Sequence, residues 1–197
     1  KFFEKLESCY EKIAYGYIVN ANTLVDGLLN FGKGLMGRPE DEPDNSDLLK
    51  WMPPENIINT FPFYLSGYDY NNRPILVLLW GKWDTRRVTE KGGQELIDLI
   101  RRNDQFIERI KKSYYQRRIN ESEMGSVDDE VVLLIDYDGF ELRQIQSQEN
   151  LRMMMNFFEK LESCYEKIAY GYIVNASSLV DEILNLASSL VDEILNL

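Results

Sequence analysis

The hydrophobic positions of the chain follow two patterns, short apolar runs and longer helical spacings. Ile75–Trp80 and Val131–Ile135 are apolar at every position, which is typical of strands covered on both faces. Tyr15–Val19 is aromatic and β-branched and also predicts a buried strand. The longest helical pattern covers residues 89–118, where apolar residues recur every three or four positions. Strands that alternate with helices predict an α/β fold with a mostly parallel sheet flanked by helices.

A repeat complicates this pattern. Residues 2–21 and 157–176 are identical, so the chain holds two copies of one helix–strand unit. Their separation is close to the length of a domain, and both copies therefore compete for one place in the fold. We expect the second copy to pair beside Val131–Ile135, and the first to lie at a sheet edge or to replace a missing final strand. A smaller repeat, ASSLVDEILNL, fills residues 176–186 and 187–197, and its period predicts an acidic amphipathic helix.

Polar segments indicate where the chain divides. Residues 37–47 are polar and contain two prolines, which is typical of a linker. Because Lys1 lies inside the first helical pattern, we expect the natural N-terminus to precede it. The predicted parts are a duplicated helix–strand–helix segment at 1–38, a linker at 39–47, an incomplete α/β core at 48–176 and the acidic helical repeat at 177–197.

Composition excludes several classes of function. The net charge of −11 argues against nucleic acid as a partner, because that affinity depends on Lys and Arg contacts to phosphate. No apolar run is long enough to span a membrane. The chain has no histidine, which excludes imidazole zinc sites and Ser-His-Asp or Cys-His catalytic sets. We therefore predict a non-enzymatic protein with neither cofactor nor metal.

The two cysteines, Cys9 and Cys164, occupy the same position of the repeat. They predict a buried, reduced thiol in a cytoplasmic protein.

Two charged segments invite a functional interpretation. Asp136 and Asp138 follow a buried strand, where α/β proteins often bind ligands, but a turn-forming role is the favoured interpretation. Residues 101–118 carry seven positive and two negative charges. Such a segment could dock on anionic lipid with about 1 kcal/mol per basic residue, although a solvated helix face with i,i+4 pairs is favoured.

Several motifs in a fixed order resemble the CRAL-TRIO lipid-binding domain family. That family has a Y-D-x-x-x-R-P hairpin, a G-x-x-D turn, a V-D-x-x-G strand end, and a Y-P-E-R helix end followed by I-I-N-A-P. The resemblance covers about residues 46–176 in family order. The corresponding segments here are LLKWMPPENI, SGYDYNNRPILVLLWGKWD, the long helix, VVLLIDYDGF and CYEK followed by YGYIVNA.

The resemblance implies an α/β domain that encloses an apolar cavity for one lipophilic molecule, such as a phospholipid, a tocopherol or a retinoid, behind a mobile gate helix. It implies lipid binding or lipid transfer, with a hydrophobic small molecule or phospholipid as partner and transient membrane contact. Glu166 and its twin Glu11 correspond to the Y-P-E-R glutamate near a lipid headgroup, and Lys33 to a family lysine. A solvated charge is nevertheless the favoured interpretation for these side chains.

The apolar strands supply the remaining candidate residues for lipid binding, Leu76, Leu78 and Leu133. The same strands could line a cavity or form a filled core.

The chain also departs from the family. It lacks the helical bundle before the linker, and after Ala176 it continues only into the short repeats, whereas the first copy continues as NANTLVDGLLNFGKGLMG. This order fits a circular permutation with overlap, a join between tandem copies, an engineered duplication, a faulty gene model, or a translation product that does not fold stably. The alternative function is a rearranged fragment that acts only as a structural module and forms homo-oligomers by segment exchange.

Overall fold

A computed structural model of the chain describes residues 16–19, 47–117 and 129–178. Nearly all of the predicted linker and of the acidic repeat, and the duplicated segment apart from residues 16–19, lie outside these ranges. The helices are α1 (Glu55–Thr60), α2 (Thr85–Lys91), α3 (Gln94–Lys111) and α4 (Gln148–Glu162). The strands are β1 (Gly16–Val19), β2 (Phe63–Tyr68), β3 (Pro74–Leu78), β4 (Val131–Asp136) and β5 (Ile168–Val174).

The strands form one five-stranded sheet with the order β1-β5-β4-β3-β2. The three central strands are parallel, because β3 pairs with β4 and β4 with β5. The edge strands β1 and β2 run antiparallel to β5 and β3. Three of the five strands therefore point in one direction, which confirms the predicted α/β fold with a mostly parallel sheet.

Helices connect the parallel strands. The chain passes from β3 through α2 and α3 to β4, and from β4 through α4 to β5, moving across the sheet in the same direction each time. Because such crossovers are right-handed in nearly all proteins, both place their helices on the same face of the sheet. Contacts among α2, α3 and α4 join them into one layer.

The helix predicted at residues 89–118 is interrupted, so that prediction was wrong in its bounds. Gly92 and Gly93 have φ angles of 66° and 75°, a region that residues with a side chain rarely adopt, and the helix stops there. It resumes as α3 and ends at Lys111, two residues before Ser113, whose φ is also positive.

The hydrophobic core lies between the helical layer and one face of the sheet. Strand residues Leu76, Leu78 and Leu133 belong to the same buried cluster as Phe106 of α3 and Phe157 of α4. Trp80, in the turn after β3, stacks on Trp83 with ring centroids 4.9 Å apart and lies 5.3 Å from Phe157. We call this sheet surface the core face.

Two glycine-containing turns pack directly on each other at the carboxyl ends of β3 and β4. A Cβ atom added to Gly81 would lie 2.2 Å from the backbone oxygen of Asp138, so only glycine fits. Gly139 has a φ of 85° and lies against the Gly81 carbonyl. The glycines of the G-x-x-D and V-D-x-x-G patterns therefore allow the two strand ends to approach closely.

Asp84, the last residue of the G-x-x-D pattern, begins α2. Its carboxylate accepts hydrogen bonds from the backbone of Arg87, at 3.3 Å, and from Gln144 and Arg143. Burial raises the pKa of Asp84, but these hydrogen bonds outweigh burial and hold the pKa below its usual value. The carboxylate thereby joins α2 to the loop after β4.

The two copies of the repeat meet at one edge of the sheet. β5, from the second copy, lies beside β4, and β1, from the first copy, lies outside β5 at the edge. Both positions agree with the expectation for the duplicated unit. The pairs are Gly16 with Val174, Tyr17 with Ile173, Ile18 with Tyr172 and Val19 with Gly171.

Candidate functional site

The sheet has a second apolar surface, opposite the core face. Side chains alternate between the two faces of a strand, so the neighbours of the core leucines point the other way. The strand register aligns these neighbours across the sheet. We call this surface the outer face; its residues are Tyr64, Ile75, Val77, Val132, Leu134, Tyr170 and Tyr172.

The outer face is separate from the core cluster. Ile75, Val77 and Val132 are only 3%, 5% and 2% exposed, yet none belongs to the cluster that unites the core face with the helices. Leu134 is half-buried, and Tyr64, at the β2 margin, is 49% exposed. The centre of this surface is therefore apolar and water-excluded, whereas its margins are accessible.

Space remains above the outer face at β2. Gly67 lies beside Ile75 in the register, and a Cβ atom added to it would meet no heavy atom within 4 Å. Tyr170 and Tyr172 are half-buried on β5, with their rings edge to face at 5.5 Å. Aliphatic residues between aromatic side chains form a surface suited to a nonpolar molecule.

A polar group closes the outer face at the β2–β3 turn. The Tyr170 hydroxyl donates to Asp69 Oδ2 at 3.1 Å. Asp69 Oδ1 also accepts from the backbone of Asn71 and Arg73, each at 2.8 Å. Burial, followed by the hydrogen bond to Asp69, raises the pKa of Tyr170 to about 12. The tyrosine is therefore a neutral donor at physiological pH.

The predicted lipid-binding leucines lie on the core face. Leu76, Leu78 and Leu133 are 0%, 2% and 4% exposed and pack among core residues, and Leu76 pairs directly with Leu133. Sequence reasoning had left a cavity and a filled core as alternatives for these strands; the three leucines pack within the core cluster, and their contact with a lipid stays a prediction. It did not identify the outer-face residues, although the two-residue period of a strand could have shown that a second set exists.

Of the predicted headgroup residues, the structure describes only Glu166. Glu166 lies in the 3₁₀ turn Tyr165–Lys167, just before β5. Its side chain is exposed and has no hydrogen bond or ion pair with any residue that the structure describes. Glu11 and Lys33 lie outside the described residues.

The aspartates after β4 form a turn. Asp136 Oδ1 accepts from the backbone of Asp138 and from Asn175 Nδ2, each at 2.9 Å. In the described ranges, no cluster of three or more Asp, Glu, Cys or His side chains could hold a metal ion. The turn-forming role predicted for Asp136 is therefore confirmed.

Cys164 is a structural residue. Its thiol is 3% exposed and donates to the Leu161 carbonyl. Burial raises the pKa of Cys164 to about 12, so the nucleophilic thiolate is scarce at neutral pH. The predicted buried, reduced thiol is confirmed at this position, whereas Cys9 lies outside the described residues.

A small groove crosses the helical layer, away from both strand faces. Its volume is about 290 Å³, at the lower limit for ligand sites. Leu96, Ile100 and Met153 contribute its apolar walls, and Lys160 pairs with Asp104 at 2.6 Å beside it. This groove is smaller than a lipid-sized site requires.

Comparison with known families agrees with the fold. Residues 58–196, more than two thirds of the chain, match the family model of the CRAL/TRIO domain. No curated protein and no solved structure matches the chain. Among the described helices, none is both long enough and apolar enough to cross a lipid bilayer.

Proposed function

The chain belongs to the CRAL/TRIO domain family, whose members bind small lipophilic ligands, and we propose that it holds such a ligand against its outer face. The ligand would be a hydrophobic small molecule or a phospholipid, carried without chemical change by a cytoplasmic protein that contacts membranes transiently. Glu166, Glu11 and Lys33 stay predictions for contact with a polar headgroup.

One observation carries this proposal: a continuous apolar surface exists that the protein core does not use. Val77, Val132 and Leu134 lie side by side on three neighbouring positions of the sheet, apart from the core cluster. Burying apolar surface contributes about 25 cal/mol per Å², so a lipid chain would gain free energy at the accessible margin of this surface, where Leu134 is half-buried and Tyr64 is 49% exposed. The tyrosines at the margin supply amphipathic rings that suit the boundary between lipid and water.

Native mass spectrometry of the purified full chain tests this proposal. We expect an additional mass from a co-purified lipid. Leu134→Trp should lower the lipid-bound fraction, because the larger ring fills space on the outer face. Ile97→Trp is the matched control, since Ile97 is 58% exposed on α3. Wild-type protein without any extractable lipid would contradict the proposal.

A second candidate function is self-association by segment exchange. The segment GYIV of β1 pairs antiparallel with the identical segment of β5, and the pairs are related by a local two-fold axis. Antiparallel pairing of identical strands is isologous, so a second molecule could supply the same strand. Edge strands invite such exchange.

Light scattering across a range of protein concentrations tests the exchange. We expect a dimer whose fraction increases with concentration. Ile18→Pro should reduce that fraction, because proline removes a backbone donor from β1 but leaves β5 unchanged. A sharp monomer peak for the wild-type chain at high concentration would contradict segment exchange.

A further inference from the structure

The arginines of the basic segment contact aromatic rings instead of carboxylates. Arg102 lies 4.3 Å from the centroid of the Phe63 ring, and Arg109 lies 4.7 Å from that of Tyr114. Arg101 stacks in the same way on Trp51. None of these arginines forms an ion pair with a residue of the described ranges. The solvated helix face predicted from sequence is wrong for Arg102, which is buried, whereas Lys112 is exposed and forms an i,i+4 pair with Glu108 as predicted.

Two of these arginines have a buried guanidinium nitrogen without a hydrogen-bond partner, although Arg109 as a whole is only half-buried. Arg102 is only 5% exposed. The Nε atoms of Arg102 and Arg109 are buried and have no partner, and the Tyr115 side chain beside them interacts with Arg109. Buried polar groups are nearly always satisfied in folded proteins, so two unsatisfied guanidinium nitrogens on one helix require an explanation.

The three groups influence each other electrostatically. Burial raises the pKa of Tyr115, and the charge of Arg109, a hydrogen bond with Arg109 and the charge of Arg102 oppose that rise. Burial lowers the pKa of Arg102, Tyr115 acts in the opposite direction, and Arg109 lowers it further. No carboxylate of the described residues contributes to either shift. Within the part of the chain that the structure describes, the site therefore combines two guanidinium groups and a phenol without a balancing anion.

Stacking on aromatic rings offsets only part of the free-energy cost of burying these guanidinium groups. Cation–π contacts favour a guanidinium over an aromatic face, but they leave its N–H donors unpaired. Burying a charge without a partner is unfavourable. An anion with several oxygen atoms would accept hydrogen bonds from both guanidinium groups and from the phenol, because arginine recognises phosphate oxygens through its planar set of donors.

We propose that Arg102, Arg109 and Tyr115 form a binding site for a phosphate-type anion. The site lies on the helical side of the sheet: Arg102 stacks on Phe63 of β2, which pairs with the core-face residue Leu78. It is therefore distinct from the outer face, and the proposal does not depend on the proposed lipid function. The phosphate could come from solution or from the headgroup of an anionic lipid.

Titration calorimetry of the full chain with inorganic phosphate, at constant ionic strength, tests the site. Arg109→Met keeps the aliphatic stem but removes the charge, and we expect it to weaken phosphate binding at least about tenfold, the effect of losing one charged hydrogen-bonding group. Arg101→Met is the matched control. Arg101 is an adjacent arginine, stacked on Trp51 but exposed, and its loss should change the affinity less than about twofold.

Arg102→Met is the second variant, with circular dichroism to establish that it folds. If this variant unfolds, the Arg109→Met result decides alone. Phosphatidylcholine vesicles, with and without phosphatidic acid, distinguish the two sources. Binding to inorganic phosphate or to phosphatidic acid vesicles that is lost in Arg109→Met supports the site and names its source.

Two results would overturn the proposal. One is the absence of binding to both inorganic phosphate and phosphatidic acid vesicles. The other is an equal loss in Arg101→Met and Arg109→Met, which would indicate only the general attraction of a basic helix for anions.

Discussion

The two faces of the sheet are built from adjacent residues of the same strands, yet they have different surroundings. On β4, Leu133 packs among the helices and is 4% exposed, whereas Leu134 points to the outer face and is half-buried. The chemistry of the side chains is the same. The role of an apolar residue in this sheet therefore depends on which face it occupies, because Leu133 belongs to the cluster that includes residues of the helices and Leu134 does not.

The largest expected difference concerns these neighbouring leucines. Leu133→Ala should lower the free energy of unfolding by about 2–5 kcal/mol, because it leaves a cavity in a filled core. Leu134→Ala should lower it by about 1 kcal/mol or less, since less apolar surface is lost from a half-buried side chain. Urea unfolding with a common slope measures both values. Equal losses would mean that the outer face is packed as tightly as the core.

Two glycines test the difference between the tightly packed turns at the strand ends, where Gly81 lies, and the open part of the outer face, where Gly67 lies. Gly81→Ala should destabilise the protein by about 1–3 kcal/mol, because the added methyl group overlaps the Asp138 backbone. Gly67→Ala, on the outer face, should have an effect within about 0.5 kcal/mol, since no atom lies within 4 Å of the added carbon. Thermal unfolding compares the two, and a large loss in Gly67→Ala would show that the space is occupied.

A smaller effect is expected at the polar margin of the outer face. Tyr170→Phe removes the hydrogen bond to Asp69 and should lower stability by about 1 kcal/mol. Tyr64→Phe serves as the control, because Tyr64 lies on the same face and is 49% exposed.

The contribution of Tyr170 should also depend on pH in a defined direction. Its pKa is raised in the folded protein from 10.0 to about 12, so the contribution is complete below pH 10 and is lost as the pH rises through 12. Chemical unfolding of both proteins at alkaline pH measures the difference. A gap between wild type and Tyr170→Phe that persists unchanged above pH 12 would contradict the assignment.

Much of the fold could be predicted from the sequence, because strand runs and helical spacings are local signals. The runs Ile75–Trp80 and Val131–Ile135 correspond to β3 and β4, and the order of the motifs places β5 beside β4. The break at Gly92 and Gly93 was missed because apolar spacing continues on both sides of it. The glycine pair itself was the available signal.

The candidate site could not be located from the sequence for a physical reason. In a strand that is apolar at every position, such as β3, both faces look alike, and only the positions of the helices decide which face becomes the core. The unusual environment of Arg102 was hidden for a similar reason. Its burial depends on Phe63, a distant residue in the chain, whereas charge counting treats every arginine of the segment as solvated.

β1 and β5 pair antiparallel through the same four-residue sequence, GYIV, so the order of the residue pairs is the same from either end. β1 could therefore pair in the same way with β5 of its own chain or with β5 of a second molecule. Tethering alone then decides the choice, because a linked copy is present at a far higher effective concentration than a free one. Cutting the chain between the copies would turn an internal border into an intermolecular one without altering a single residue of the sheet.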